Sequence, residues 1–404
     1  MAEAVAERPA AERTDARRVL LWSCLVVFMA QMATTIYLPA LPAVMRELDV
    51  SRGFAGASIS VFVIGAAAPV VPWGRAADRY GRRGPLLASL GLFVACCIAL
   101  AVTTSPALLL VLRALQGIGA GGSAIIARIA VRDLGSGDQL ARRLSVLSIA
   151  FITALGGGQF TGGLLTRYAD WRLGFVVLAV VGAAAIATSF ALPLGPARPA
   201  GEAGNVFRVG LRLLRTPGFA LPTYAGGLGF ATVVVLQEVA PFVFQQHFGL
   251  AADAYGGIGL LLAPAYFAGA LTVNRTVARF GAGRLMRTGA LVMTASGLAM
   301  VVLWSLDAGR VTALTAFIAL YCVTTFGQAV LFPTSMAAAA SADPAHGAYA
   351  IALCGFVQQS TAGLAALAAT PLRAELAWSA TAAALSALAW FLVRGTTLSK
   401  GASR

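Results

Sequence analysis

Two residues of opposite charge, Arg113 and Glu238, lie deep inside long apolar stretches of the chain. Arg113 is about seven residues from the end of its stretch, or roughly 10 Å if the stretch is helical. Glu238 lies at a similar depth in another stretch. A charged side chain in such surroundings is costly unless water or an opposite charge reaches it. We therefore predict that the two meet at an internal cavity, where Glu238 takes up a proton or binds a cation beside Arg113. The alternative is that Glu238 lies at a solvated mouth and that Arg113 is purely structural.

Uncharged polar side chains occur in the same apolar stretches, and their amide and hydroxyl groups could hold a ligand in a mostly apolar pocket. Together with Arg113 and Glu238, the predicted ligand-binding residues are Gln31, Thr34, Thr35, Tyr37, Gln116, Gln159, Gln237, Tyr266, Tyr321, Gln328 and Gln358. Each of them could instead bond to a neighbouring helix, and that alternative stays open. The sequence contains no nucleophile–base pair and no metal-ligand spacing, so it favours neither an enzyme nor a metal site and implies no cofactor beyond a proton gradient.

The elements that must position these residues are membrane-spanning helices. Of the 404 residues, 59% are hydrophobic and 11% are charged, which is too little charge to cover a soluble protein of this size. About twelve apolar stretches of roughly 20 residues are each long enough to cross a bilayer. Only helices satisfy the backbone inside lipid at this spacing, so the sequence predicts an all-α membrane protein.

The net charge of +14 could indicate nucleic-acid binding, but the placement of the basic residues argues against it. Most of them fall in alternate connections between the apolar stretches. Basic residues in short loops on one side fix the orientation of a membrane protein. We predict that both termini are cytoplasmic, that the protein lies in the inner (cell) membrane, and that the basic loops face anionic lipid.

A loop motif recurs at half the chain length and indicates two related halves. The matching residues of 74–84 and 274–284 are Arg75 and Arg275, Arg79 and Arg279, Tyr80 and Phe280, and Gly81 and Gly281. The predicted division is a disordered segment over 1–19, a six-helix bundle over 20–193, a linker over 194–218, a second bundle over 219–394 and a tail over 395–404. Within the linker, the alternation of apolar residues with Arg208, Arg212 and Arg215 fits either a basic surface helix or a flexible connection.

These motifs resemble those of the major facilitator superfamily, and most closely its bicyclomycin-resistance/CflA type of drug:proton antiporters. The resemblance rests on residues 74–83, 109–119, 37–42, 131–133 and 355–358. It implies two pseudo-symmetric six-helix bundles in which the first, fourth, seventh and tenth spans line a cavity. It also implies export of small amphipathic drugs or secondary metabolites by alternating access in exchange for protons. Because one chain holds both halves, we expect a monomer.

Two departures from the family pattern keep a second interpretation open. Thr35 stands where the exporters have an acid, and Gln159 stands where antiporters have a proline. Proton coupling would therefore need another carboxyl, for which Glu238 is the candidate. The alternative is a facilitator or importer of one organic solute without proton coupling.

The resemblance also implies a conformational latch at the loop between the second and third spans. Its predicted members are Gly74, Asp78, Arg79, Gly81, Arg82, Arg83 and Asp133. We expect Asp133 to pair with Arg79 or Arg83 at the cytoplasmic end and to release on opening. A static anchor for the loop is the alternative.

Overall fold

A computed structural model of the chain describes residues 2–68, 70–134, 137–193, 206–306, 309–343, 347–370, 372 and 375–394. Within these ranges every regular element is helical. Side chains are described over the same ranges except for 2–13, 70–71, 78, 137–142, 144–145, 206–207 and 347–348. The described residues therefore confirm the predicted all-α fold.

The helices of the first half are α1 (Ala2–Thr35), α2 (Leu41–Glu47), α3 (Arg52–Ala67), α4 (Val70–Tyr80), α5 (Arg83–Val102), α6 (Pro106–Arg132), α7 (Gly137–Tyr168) and α8 (Leu173–Ser189). A connecting helix, α9 (Val206–Arg215), leads to the second half. That half contains α10 (Pro217–Phe242), α11 (Ala252–Phe280), α12 (Ala282–Ser305), α13 (Arg310–Ser341), α14 (Gly347–Ala369) and α15 (Glu375–Arg394). A short 3₁₀ turn, Leu38–Ala40, joins α1 to α2, and a π-helical segment, Val243–His247, follows α10.

Eleven helical segments of the described chain are long and apolar enough to cross a membrane. The apolar helix α8, with 17 residues, is shorter than these and supplies the remaining span. The first span joins α1 and α2, and the second joins α3 and most of α4. The chain is thus a multi-pass membrane protein with twelve spans, as predicted.

The structure contradicts the prediction for the amino-terminal segment and decides between the two alternatives for part of the linker. Helix α1 begins at Ala2, so the prediction of disorder over 1–19 is wrong for the backbone of 2–19. Alanine, glutamate and arginine dominate this segment, and all three are strong helix formers. In the linker, residues Val206–Arg215 form a helix, which agrees with the first of the two alternatives. Residues 194–205 and the tail 395–404 lie outside the described residues.

The two halves repeat the same helix pairings. In the first half α1 packs on α6, α7 and α8, while in the second α10 packs on α13, α14 and α15. The pairs α5–α6 and α5–α8 correspond to α12–α13 and α12–α15. Between the halves, α7 packs on α11 and α3 packs on α14. This repetition supports the pseudo-symmetric arrangement of two six-span bundles.

The repeated loop has the same backbone shape in both halves. Gly81 and Gly281 both have φ +78°, a conformation that costs glycine little and other residues more. In the preceding turn the guanidinium of Arg79 lies 5.2 Å from the ring centre of Tyr80, and that of Arg279 lies 5.2 Å from Phe280. The end of the bundle that carries these two turns is called the motif end here, and the other end, where α3 and α11 begin, the opposite end.

Candidate functional site

A cavity of about 60 Å³ lies between the two halves. It contains six of the predicted residues, contributed by α1, α10, α11 and α13: Gln31, Thr34, Gln237, Tyr266, Tyr321 and Gln328. These residues are the part of the predicted ligand site that the structure brings together. A cavity of this size admits water but not a drug-sized molecule, for which pockets of roughly 300 Å³ or more are usual. The halves must therefore separate to admit a larger ligand.

The remaining lining is mostly apolar, and the sequence analysis did not select it. It consists of Val63, Phe151, Leu155, Phe230, Val233, Val234, Leu262 and Thr325. The rings of Phe151 on α7 and Tyr266 on α11 lie 5.9 Å apart across the two halves. An apolar residue in a membrane span has the same sequence signature whether it faces lipid, core or cavity. No single-sequence signal distinguishes these positions.

Three glutamine side chains in the lining have free hydrogen-bonding capacity. Among the described residues, none accepts from or donates to the amides of Gln31, Gln237 and Gln328. Thr325 differs, because its hydroxyl donates to the carbonyl of Tyr321 at 2.8 Å within α13. Pro241 also removes the N–H that would bond the Gln237 carbonyl in an unbroken helix. The cavity therefore has unpaired amide groups on both halves.

Glu238 follows Gln237 on α10 but does not line this cavity. It is buried, with 4% of its surface exposed, and its carboxylate accepts a hydrogen bond from Ser60 of α3. It borders instead a crevice of about 10 Å³ at the opposite end, whose other lining residues are Arg52, Gly53, Gly56, Val239, Ala369, Thr370 and Leu372. That volume is about one water molecule. Adjacent residues of α10 thus face two separate spaces.

Arg113 lies inside the first half, and its side chain is completely buried. Its guanidinium donates to the carbonyls of Ser58 and Ala33, at 3.3 and 3.2 Å, and to the Gln116 side chain at 2.7 Å. Rings of Tyr37 and Phe62 lie 4.6 and 4.4 Å from its central carbon. The described residues show no ion pair between Arg113 and Glu238, so their predicted meeting does not occur in this structure. Helix α3 intervenes, with Ser58 bonded to Arg113 and Ser60 bonded to Glu238.

The opposite end of the interface is closed by hydrogen bonds between the halves. The Gln159 amide donates to the carbonyl of Tyr255 at 3.0 Å, and the hydroxyl of Tyr168 donates to Asp253 at 3.0 Å. Gln245 donates to the carbonyl of Pro39 at 2.9 Å. Close backbone approach accompanies these bonds, because a Cβ atom on Gly163 would lie 2.6 Å from the carbonyl oxygen of Ala252. The central cavity is therefore separated from this end.

The chain matches the family model described as Major Facilitator Superfamily over residues 23–367. The chain belongs to the Major Facilitator Superfamily. It is therefore a membrane transporter, and the predicted resemblance is confirmed.

Curated relatives of this transporter include drug-resistance proteins. It is 28% identical to the multidrug resistance protein D of Escherichia coli over 351 residues, which cover 86% of this chain and 87% of that protein. It is 24% identical to the bicyclomycin resistance protein homolog of Haemophilus influenzae over 287 residues, which cover 68% and 70% of the two chains. The crystal structure of a D-xylose-proton symporter matches it with a TM-score of 0.76 at 16% identity, over 95% of this chain and 100% of that one. This last likeness shows the fold alone.

Five predicted ligand residues of the transporter lie away from the central cavity. Gln116 accepts from Arg113 and donates to the sulfur of Cys97, and Tyr37 accepts from Ser58. Thr35 donates to the carbonyl of Ala154 at 2.8 Å, and Gln358 donates to Ser335 at 2.9 Å. Gln159 crosses to α11, as described above. Each satisfies a neighbouring helix, which is the alternative left open for every one of them.

The expectation that the fourth span, α6, contributes to the cavity is wrong for the described lining. Its polar residues Arg113 and Gln116 lie three positions apart, so they share one face of α6 and bond to each other. That face packs on α1, α3 and α5 inside the first half. The spacing of these two residues was the sequence signal for their pairing.

At the motif end, the transporter pairs Asp133 with Arg82 rather than with Arg79 or Arg83. Arg82 is buried directly after the turn at Gly81, whereas Arg79 is exposed one turn earlier. Arg83 donates to the carbonyls of Phe190 and Leu192 at 3.2 and 3.1 Å. The space next to Gly74 is open, and the side chain of Asp78 lies outside the described residues. Arg82, Asp133 and Arg83 with its acceptors all belong to the first half, so these contacts tie its own helices together.

Proposed function

We propose that this transporter exports small amphipathic compounds, such as drugs or secondary metabolites, in exchange for protons. The names of its curated relatives support export of this class. The arginine-rich connections support a cytoplasmic position for the motif end and for both termini, in the inner membrane. Each chain carries both halves, which supports a monomer as the working unit. The proton gradient supplies the energy, and the proposal includes no cofactor.

The observation that carries proton coupling is the position of Glu238. It is a buried carboxyl in a membrane span, at the interface between the halves, with a single described side-chain partner, Ser60. Arg52 lines the same crevice, but the described side-chain hydrogen bond to the carboxylate comes from the neutral hydroxyl of Ser60. Burial of a carboxylate with such a partner is costly, and proton binding removes that charge. A group whose charge is tolerated only when the interface opens to water can couple protonation to the movement of the halves.

The two spaces beside α10 suggest how the cycle runs. With the opposite end open, water from outside reaches Glu238 through the widened crevice and protonates it. The neutral carboxyl then returns to its site against Ser60 as this end closes, while the central cavity becomes available from the cytoplasm. Substrate then binds there and the proton is lost to the cytoplasm. Reopening of the opposite end releases the substrate outside and completes the exchange. Arg113 acts in this proposal through the packing of α3, whose other side holds Glu238.

Transport by the purified protein in lipid vesicles with an imposed pH gradient tests the proposal. The wild type should accumulate several unrelated amphipathic compounds against their gradients, and Glu238→Gln should abolish the dependence on the pH gradient. Asp170→Asn, which removes an exposed carboxyl, is the matched control and should retain it. Full proton-driven transport by Glu238→Gln would exclude Glu238 as the coupling group. Uptake of one solute, insensitive to pH, would instead establish an uncoupled facilitator or importer.

A further inference from the structure

The polar groups that face the central cavity are all uncharged. They are the amides of Gln31, Gln237 and Gln328, the phenols of Tyr266 and Tyr321, and the hydroxyls of Thr34 and Thr325. The two charged residues that were predicted to line it do not face it. Glu238 bonds to Ser60, and Arg113 is enclosed in the first half. The described lining therefore offers hydrogen bonds and apolar surface to a ligand, but no formal charge.

Neutral amides serve a ligand differently from carboxylates. An amide presents two donors and one acceptor oxygen, so it pairs with carbonyl, hydroxyl and amide groups. The three glutamine amides have no partner among the described residues, and an unmatched amide in an apolar space is costly. A ligand that carries both donors and acceptors would satisfy these amides. The amide on α1 would bind it from the first half, and the amides on α10 and α13 would bind it from the second half.

A cation would bind less favourably in this cavity than a neutral ligand. It would lose its hydration shell, and the described lining supplies no carboxylate to replace that interaction. The aromatic rings of Phe151, Phe230, Tyr266 and Tyr321 could attract it, but cation–π attraction compensates only part of the lost hydration. An anion likewise finds no basic group there.

We propose that the compounds exported through this cavity are uncharged when bound and carry amide, carbonyl or hydroxyl groups on an apolar or aromatic body. This proposal rests on the export function proposed above and narrows it to one chemical class. A neutral substrate also determines how much charge crosses the membrane in each cycle. Exchange of one proton for one neutral molecule moves one positive charge inward per cycle, so the membrane potential drives it as well as the pH gradient. Exchange of a proton for a monovalent cation moves no net charge.

Matched probe pairs test the substrate class. Each pair consists of two dansyl sulfonamides of equal size, one ending in an N,N-dimethylacetamide group and the other in a trimethylammonium group, with several linker lengths. Accumulation is measured in vesicles containing the purified transporter, with a pH gradient alone and with an added membrane potential. The neutral member of each transported pair should accumulate about tenfold faster than the cationic member, and the added potential should increase the rate of the neutral member.

A carboxylate placed in the cavity should change this preference. Gln31→Glu should accelerate the trimethylammonium probes and slow the neutral ones, whereas Gln246→Glu, the same change at an exposed position, should leave both rates as in the wild type. Equal rates for both members of the pairs, or faster cation transport by the wild type, would overturn the substrate class while leaving export intact. Transport of no probe of either kind would overturn the export function itself and this inference with it.

Discussion

The hydroxyl of Ser60 on α3 donates a hydrogen bond to the carboxylate of Glu238 on α10, and this bond joins the two halves of the transporter. Two residues earlier on α3, the carbonyl of Ser58 accepts from Arg113. Arg113 and Glu238 therefore contact the same helix from different sides. A movement of α3 would change the surroundings of both without requiring them to touch.

Substitution of Ser60 tests this link. Ser60→Ala leaves the buried carboxyl without its donor from the first half, which should weaken the closed interface by about 1 kcal/mol. We expect the initial rate of proton-driven transport in vesicles to fall about fivefold, since 1.4 kcal/mol corresponds to tenfold. Ser60→Thr retains a hydroxyl and should restore most of the rate. Equal rates for Ser60→Ala and the wild type would contradict a functional role for this bond.

Substitution of Arg113 should lower the stability of the protein more than it changes proton coupling. Arg113→Ala removes the donor to the Ala33 and Ser58 carbonyls and to Gln116, and it leaves a cavity between aromatic rings. The free energy of unfolding should fall by about 3 kcal/mol. Arg113→Lys keeps the charge without the planar fork and should be intermediate. Thermal unfolding in detergent measures the first effect, and the pH dependence of the remaining transport measures the second.

If Arg113 is a structural residue, the pH profile of Arg113→Lys should match that of the wild type even where the rate is lower. A displaced pH profile with unchanged thermal stability would contradict the packing role. It would restore the predicted partnership with Glu238 in some other conformation of the transporter.

The helices and the repeat could be predicted from the sequence because their signals are local. Apolar length sets the spans, and the recurrence of Gly81 as Gly281 gives the same turn in both halves. The direction of a polar side chain is different, because it depends on how each helix is rotated by its packing partners. Gln237 and Glu238 are adjacent on α10 yet face different spaces. Glutamines 31 and 116 have similar apolar neighbours, but only Gln31 reaches the cavity.

The pair of Arg82 and Asp133 should contribute strongly to the stability of the first half. Both side chains are largely buried, so removal of Arg82 leaves the buried Asp133 carboxylate with a more distant and more exposed cation, Arg132 at 3.9 Å. Arg82→Gln should lower the free energy of unfolding by about 3–5 kcal/mol. The control is Arg79→Gln, whose exposed side chain lies over Tyr80 and whose loss should cost less than about 0.5 kcal/mol. Chemical unfolding in detergent measures both.

A double substitution distinguishes a direct pair from two independent contributions. Arg82→Gln combined with Asp133→Asn should cost much less than the sum of the single changes, because the double variant has neither member of the buried ion pair. Additive losses would show that the two residues act separately.

Two glycines of α7 differ in how closely the other half approaches them. A Cβ atom on Gly163 would lie 2.6 Å from the Ala252 carbonyl oxygen of the other half, whereas nothing lies within 4 Å of one on Gly157. Gly163→Ala should therefore prevent full closure of the opposite end and lower the transport rate about tenfold, a difference of 1.4 kcal/mol. Gly157→Ala should retain transport and raise stability slightly, by roughly 0.5–1 kcal/mol, because alanine favours the helix. Transport in vesicles and thermal unfolding are measured for both variants. Since the obstruction lies between the halves, Gly163→Ala should keep the wild-type unfolding temperature while its transport rate falls. Full activity in that variant would exclude this contact from the transport cycle.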